Sequence, residues 1–158
     1  MNIRSVVILL CFALAPIVGS AHPPLALTDD AAVRSQLNAS AHAFETHDLD
    51  ALAKTFVNDS SLTIFEGGEV NNGWVDYRDN HIKPEMAEIT SVQYSLGNIK
   101  THIDNRTAWA TFNYHIVGST AKRSFDSNGI GTAILQKIQG RWLIVHWHST
   151  KSPAPPKV

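Results

Sequence analysis

Residues 141–150, RWLIVHWHST, have the aromatic and β-branched content of a buried strand. Because side chains alternate along a strand, His146 and His148 are expected on the same face as Trp142 and Ile144. Two imidazoles on an apolar face need either hydrogen-bond partners inside a core or a cavity that they line. The stretch therefore predicts a final strand that carries polar groups on its buried face.

Three helices are predicted ahead of the four long strands. The first begins after Thr28 or Asp29, either of which can be its N-cap, and a short second helix follows Asp48. The third covers 72–82, NGWVDYRDNHI, and is expected to be interrupted near Pro84, because the residue before a proline avoids helical angles.

Strand patterns begin after the second helix. A short strand, a turn at Gly67 and Gly68 and a return strand lie between the second and third helices. The predicted long strands are 90–102, 107–117, 124–138 and 141–149. Helices followed by a run of antiparallel strands indicate an α+β fold.

Composition excludes some classes of protein. The 158 residues include 13 basic and 14 acidic side chains, so the chain lacks the strongly basic character of a nucleic-acid binder. This length fits one domain with a substantial core. Eight histidines stand out, since imidazole alone titrates near neutral pH and also binds metals.

The N-terminal residues have the pattern of a cleavable signal peptide. Arg4 precedes an apolar run over 6–18, and Gly19 and Ala21 give the small-x-small pattern of a cleavage site. The run is shorter than the roughly 20 apolar residues of a membrane span. Cleavage would also remove Cys11, the only cysteine. We expect a periplasmic or secreted protein with no membrane attachment after cleavage. Its expected parts are signal peptide 1–21, linker 22–28, domain 29–150 and proline-rich tail 151–158.

The order of these motifs resembles a known family. A helix, a short helix with HDLDAL (47–52), a strand and a helix with Trp74, Tyr77 and His81 precede four long strands that end in GRWLIVHWHS (140–149). This order is similar to the SnoaL-like domain of the nuclear transport factor 2-like superfamily. The last two strands resemble the association domain of calcium/calmodulin-dependent kinase. The resemblance implies a strongly curved antiparallel sheet wrapped as a cone around the three helices, with one pocket.

Candidate site residues follow from that cone. Trp74, Tyr77 and His81 are three and four apart on one helical stripe, and Glu66 precedes the glycine turn near the expected mouth. The resemblance also puts Phe112 and Tyr114 inward, together with the small residues Gly129, Gly131 and Ala133, which would leave room for a ligand. The expected ligand-binding residues are Glu66, Trp74, Tyr77, Phe112 and His146, and the expected catalytic residues are His148, His81 and Tyr114.

Three functions fit these residues. The first is binding of a small, partly apolar molecule without a cofactor. The second is a cofactor-free isomerase, cyclase or lyase, in which His148 or His81 is the base and a tyrosine stabilises an oxyanion. The third is a zinc site built on His146 and His148 and completed by His81 or Glu66. A plain structural alternative also stays open, in which His146 bonds to a neighbouring hydroxyl or carbonyl. We expect the first function, with no metal and no cofactor.

The opposite face of the sheet predicts self-association. Resembling proteins pair through this outer face, which would here carry Trp109, Leu143, Val145 and Trp147. Such residues would form a larger apolar patch than a soluble monomer normally exposes. We therefore expect a homodimer, with no nucleic-acid partner.

We predict that the mature protein begins at His22, because Gly19 and Ala21 fit the cleavage site. N-terminal sequencing or intact mass of the protein from its own host measures this directly. A product that retains Met1 and stays in the membrane would show that the segment is an anchor.

Overall fold

A computed structural model describes residues 28–153. The predicted signal peptide, the linker before Thr28 and the tail after Pro153 lie outside the described residues. Within 28–153, no helix is long and apolar enough to cross a membrane.

The first two helices begin where the sequence predicts. Helix α1 (Asp29–Glu45) has Thr28 as its N-cap, and the Thr28 hydroxyl accepts a hydrogen bond from the backbone N–H of Ala31. Helix α2 (Leu49–Ala53) is capped by Asp48, whose carboxylate accepts from the Ala51 N–H at 2.8 Å. Each cap satisfies an N–H that would otherwise lack a partner at the helix start.

The third helical region is continuous through Pro84, so the predicted interruption is wrong. Helix α3 (Trp74–Tyr77) passes into a π-helical turn (Arg78–Ile82) and then into α4 (Lys83–Glu88). Pro84 lies in the first turn of α4, where a missing N–H costs least, and the wider turn before it bonds the Lys83 N–H to the carbonyl of Arg78. The π turn therefore lets the chain keep a helical course up to and past the proline.

A six-stranded curved sheet follows the α+β prediction. The strands are β1 (Thr63–Glu66), β2 (Glu69–Asn72), β3 (Ile89–Asp104), β4 (Thr107–Thr120), β5 (Ser124–Ile138) and β6 (Arg141–Lys151), in the order β2-β1-β6-β5-β4-β3. All neighbours are antiparallel except β1 and β6, which are parallel. The sheet is therefore antiparallel, as expected, apart from this one parallel pair. The chain leaves β2 through the third helical region and crosses to the far edge, so the last strand returns beside β1 in the same direction.

A bulge in β6 reverses the expected facing of its second half. Leu135 pairs with Ile144 but the preceding residue, Ile134, pairs with His146, so Val145 is an extra residue without an opposite partner. Trp142 and Ile144 are buried as expected, but beyond the bulge Trp147 and Ser149 are the buried residues. His146 and His148 face outward instead. The expected shared face of the two histidines with Trp142 is therefore wrong.

Small residues on the inner face make room for aromatic rings. A Cβ atom at Gly129 would lie 2.3 Å from the Tyr114 ring, and one at Gly131 would lie 2.4 Å from the Phe112 ring. Both distances are far below van der Waals contact. The space above these inward glycines is thus filled by side chains from β4, where we had expected a ligand.

We predict that Gly131→Ala destabilises the protein by about 1–3 kcal/mol, the usual cost of overpacking a core. The Phe112 ring cannot move away easily because it packs on Trp147, with centroids 4.7 Å apart. Gly97→Ala on β3 is the matched control, since nothing lies within 4 Å of its added methyl group. We expect that control to change stability by less than about 0.5 kcal/mol in urea denaturation. Equal losses in both variants would refute the packing argument.

Candidate functional site

A cavity of about 710 Å³ lies between the helices and the inner face of the sheet. Its apolar walls come from both layers: Phe44 of α1, Phe56 after α2, Ile82 of the π turn, Ile116 of β4 and Trp147 of β6. Its volume is within the range of pockets that bind small molecules.

Glu66 brings a carboxylate to this cavity from the end of β1. Its Oε1 accepts a hydrogen bond from Ser149 Oγ at 2.8 Å, and its Oε2 lies 3.5 Å from the hydroxyl of Tyr77. The parallel pairing of β1 with β6 places Glu66 opposite Ser149 and so fixes this contact. Among residues 28–153, no ion pair includes Glu66.

Three tyrosines line the same cavity: Tyr77, Tyr94 and Tyr114. Burial, followed by the negative charge of Glu66, raises the pKa of all three hydroxyls, and those of Tyr77 and Tyr94 lie well above the ordinary value. They are therefore neutral donors at physiological pH. Within the described residues, the hydroxyls of Tyr94 and Tyr114 form no hydrogen bond. Every fully buried polar side-chain atom in these residues has a partner. Both hydroxyls are therefore accessible from the cavity.

His81 has one ring nitrogen held by a polar chain. Its Nδ1 lies 2.7 Å from the side-chain oxygen of Asn71, whose amide nitrogen is 3.4 Å from the Asp76 carboxylate. An amide oxygen only accepts, so Nδ1 donates this hydrogen bond. That Nε2 lies 3.9 Å from Glu85 Oε2, at the cavity. The arrangement fixes the orientation of the imidazole and leaves Nε2 facing the cavity.

Glu85 on α4 adds a second carboxylate. Partial burial, and then the charges of Glu66, Glu69 and Glu88, raise its pKa to about 7. Its side chain is still 44% exposed, so solvent screens part of this effect. At neutral pH the group is thus divided between its acid and its carboxylate form.

The structure brings together half of the expected site residues. Glu66, Tyr77, His81 and Tyr114 line the cavity. Trp74 is instead buried beside it, stacked on Phe56 with centroids 6.0 Å apart. Phe112 is also buried and lies outside the cavity, where its ring packs on Trp147. The functional roles of all these residues stay predictions.

His146 and His148 line no part of this cavity. Nδ1 of His146 is 2.7 Å from the Thr63 hydroxyl, and Phe65 packs edge-on against both imidazoles. Burial, and then the neighbouring His148, lower the pKa of His146. Throughout the described ranges, no three histidine, cysteine, aspartate or glutamate side chains are grouped to hold a metal ion. The hydroxyl contact matches the structural alternative for His146, and nothing favours the zinc alternative.

Several cavity residues were not expected from the sequence: Glu85, Tyr94, Trp147 and Ser149. Glu85 is four residues after His81, so extending the helical stripe past Pro84 would have identified it. Trp147 and Ser149 depend on the bulge at Val145, which has no signature in the sequence.

Comparisons with known proteins agree with this architecture. The model of the SnoaL-like domain family matches residues 33–155. No curated protein is similar enough in sequence to match. A nuclear transport factor 2-like superfamily protein from Salmonella enterica is 18% identical, with a TM-score of 0.72 over 80% of this chain and 92% of its own.

Two further solved structures share the fold. A proposed ketosteroid isomerase from Shewanella frigidimarina is 24% identical, with a TM-score of 0.67 over 77% of this chain and 96% of its own. A proposed calcium/calmodulin-dependent protein kinase II association domain from Xanthomonas campestris is 17% identical, with a TM-score of 0.65 over 77% and 86%. At these identities the likeness establishes the fold alone. The chain belongs to the SnoaL-like domain family.

Proposed function

We propose that this chain is an exported SnoaL-like domain that binds a small, partly apolar molecule in its cavity. The carrying observation is the cavity itself, which combines aromatic walls with a few converging polar groups, the usual composition of a ligand pocket. Export is supported by the signal-peptide pattern around Arg4, Gly19 and Ala21.

The lining residues predict a ligand with an apolar body and a polar end. Phe44, Phe56 and Trp147 favour an apolar ring or a branched alkyl body. Glu66 accepts hydrogen bonds, and the open hydroxyls of Tyr94 and Tyr114 both donate and accept them. A compact molecule with one polar end fits this division better than a long chain or a fully polar solute.

We predict that N-phenyl-1-naphthylamine, a neutral fluorescent probe, binds with one site per chain. Ser127→Trp should abolish binding, because Ser127 lines the cavity and an indole there would occupy it. Asn128→Trp is the matched control, since Asn128 is exposed and absent from the lining. Fluorescence titration measures both variants. Unchanged binding in Ser127→Trp would show that the probe binds elsewhere.

A second candidate function is cofactor-free proton transfer next to a carbonyl group. The orientation of His81 favours it, because Nδ1 donates to Asn71 and leaves Nε2 toward the cavity, where Tyr94 or Tyr114 can donate to a developing oxyanion. The similar Shewanella protein is named for such a reaction, an isomerisation.

For this candidate we predict that the protein speeds deuterium exchange at the α-carbon of cyclohexanone in D₂O, followed by proton NMR. His81→Gln should lower the protein-dependent rate about 10²- to 10⁴-fold, the usual contribution of a general base. N-phenyl-1-naphthylamine should still bind this variant. Exchange by the wild-type protein no faster than in buffer would eliminate the candidate and leave binding.

We also propose that the chain forms a homodimer through the outer face of the sheet. Exposed apolar side chains are spread over three strands of that face: Phe65 of β1, Trp109 of β4, and Ile130 and Ile134 of β5. Leu143 and Val145 are half-buried, whereas Trp147 points into the cavity and contributes nothing to the outer face. Leaving this apolar surface in water is unfavourable, and a second copy would cover it.

We predict that Trp109→Glu converts a dimer into a monomer, because two carboxylates would then be buried in the interface. Val75→Glu is the control, since Val75 is also an exposed apolar residue but belongs to α3. Light scattering at micromolar concentration measures the mass of each. A monomeric wild-type protein would refute the proposal.

A further inference from the structure

We propose that the ligand of the cavity is an organic cation, a protonated amine or quaternary ammonium group on an apolar body, with Glu66 as its counter-ion. This inference rests on the proposed binding function and names the charge of the ligand. Its basis is the combination of an unpaired carboxylate with a surrounding set of aromatic rings in one cavity.

Several aromatic rings line the cavity. Phe44, Tyr94 and Tyr114 follow one another along the wall, with centroid distances of 5.7 Å and 5.9 Å between successive rings. Tyr77 reaches Glu66 from the helical side and is only 5% exposed. The negative faces of such rings attract cations, and tyrosine is among the better residues for this contact.

Glu66 lacks a charged partner within the described chain. The groups that hold it, Ser149 Oγ and the Tyr77 hydroxyl, are neutral. A carboxylate in an apolar cavity is stabilised far more by an opposite charge than by neutral donors alone. A bound ammonium group would supply that charge, whereas a neutral ligand would leave the carboxylate as it is.

The second carboxylate strengthens this preference. The negative charges of Glu66, Glu69 and Glu88 all raise the pKa of Glu85. Negative charge is therefore concentrated on the helical side of the cavity. A ligand with a carboxylate at this end would therefore be repelled.

Two basic residues also line the cavity and set the competing outcome. Arg123 and Lys151 line the cavity near the ends of β5 and β6, and neither forms an ion pair with Glu66 or Glu85. An anion would have to bind beside these two residues. Charge-matched probes separate the two possibilities.

The test compares three benzyl compounds of similar shape: the cation benzyltrimethylammonium, its neutral carbon isostere neopentylbenzene, and the anion benzylsulfonate. Each competes with N-phenyl-1-naphthylamine on the full-length mature protein. We expect the cation to bind about tenfold more tightly than the neutral isostere, the range of one cation–π and ion-pair contact. Glu66→Gln should bring the two affinities to parity while the neutral fluorescent probe still binds.

Asp126→Asn is the matched control. It removes one carboxylate from the rim, where Asp126 is held 2.8 Å from His115, and should leave the cation preference intact. Cation binding should also release a fraction of a proton at pH 7. An added positive charge lowers the pKa of Glu85 from about 7, which favours its carboxylate form. Calorimetry in two buffers of different ionisation enthalpy measures this release.

Each outcome decides the inference. Equal affinity for the cation and the neutral isostere, or a preference for the sulfonate, overturns it and leaves the binding function standing. A cation preference that survives Glu66→Gln overturns the role of Glu66 as counter-ion. If N-phenyl-1-naphthylamine itself does not bind, the proposed binding function fails first, and this result is distinct from the other three.

Discussion

One extra residue in β6, Val145, determines which side chains the cavity receives. Before it, Trp142 and Ile144 continue the hydrophobic core; after it, Trp147 and Ser149 face the same interior. Without the bulge, strict alternation would bring the two imidazoles inside and move the Ser149 hydroxyl away from Glu66. The chemistry of the cavity therefore depends on a backbone irregularity more than on any single side chain.

The parallel pairing of β1 with β6 is the second constraint. It joins the first strand of the chain to the last one. This pairing brings the carboxylate of Glu66 to the hydroxyl of Ser149. The third helical region then closes the cavity from the other side, bringing Tyr77, His81 and Glu85 toward that carboxylate. Acidic and aromatic groups far apart in sequence thus share one space, and their mutual influence appears in the raised pKa values of Glu85 and the tyrosines.

Helix starts, strand limits and the fold class could be read from local patterns. Thr28 and Asp48 cap their helices through short-range geometry, and the positive φ angles of Gln139 and Gly140 suit the two-residue turn left between the predicted strands 124–138 and 141–149. The facing of His146 and His148 could not be read this way, because a bulge arises from pairing with β5 across the sheet. Phe112 was expected to contact a ligand, but its ring lies over Gly131 and packs on Trp147, outside the cavity. Glu66, Tyr77 and His81 were found because turn position and helical spacing are local properties.

The π-helical turn over Arg78–Ile82 has a consequence for how such cavities diverge. In a regular α-helix, removing one residue rotates the following segment by about 100°. A single deletion within the π turn would restore an α-helical turn and leave Tyr77 and Glu85 on their present sides, because the wider turn already absorbs the extra residue. Helix length can therefore change by one residue at this turn among relatives with the same sheet, while the groups that face the ligand stay the same.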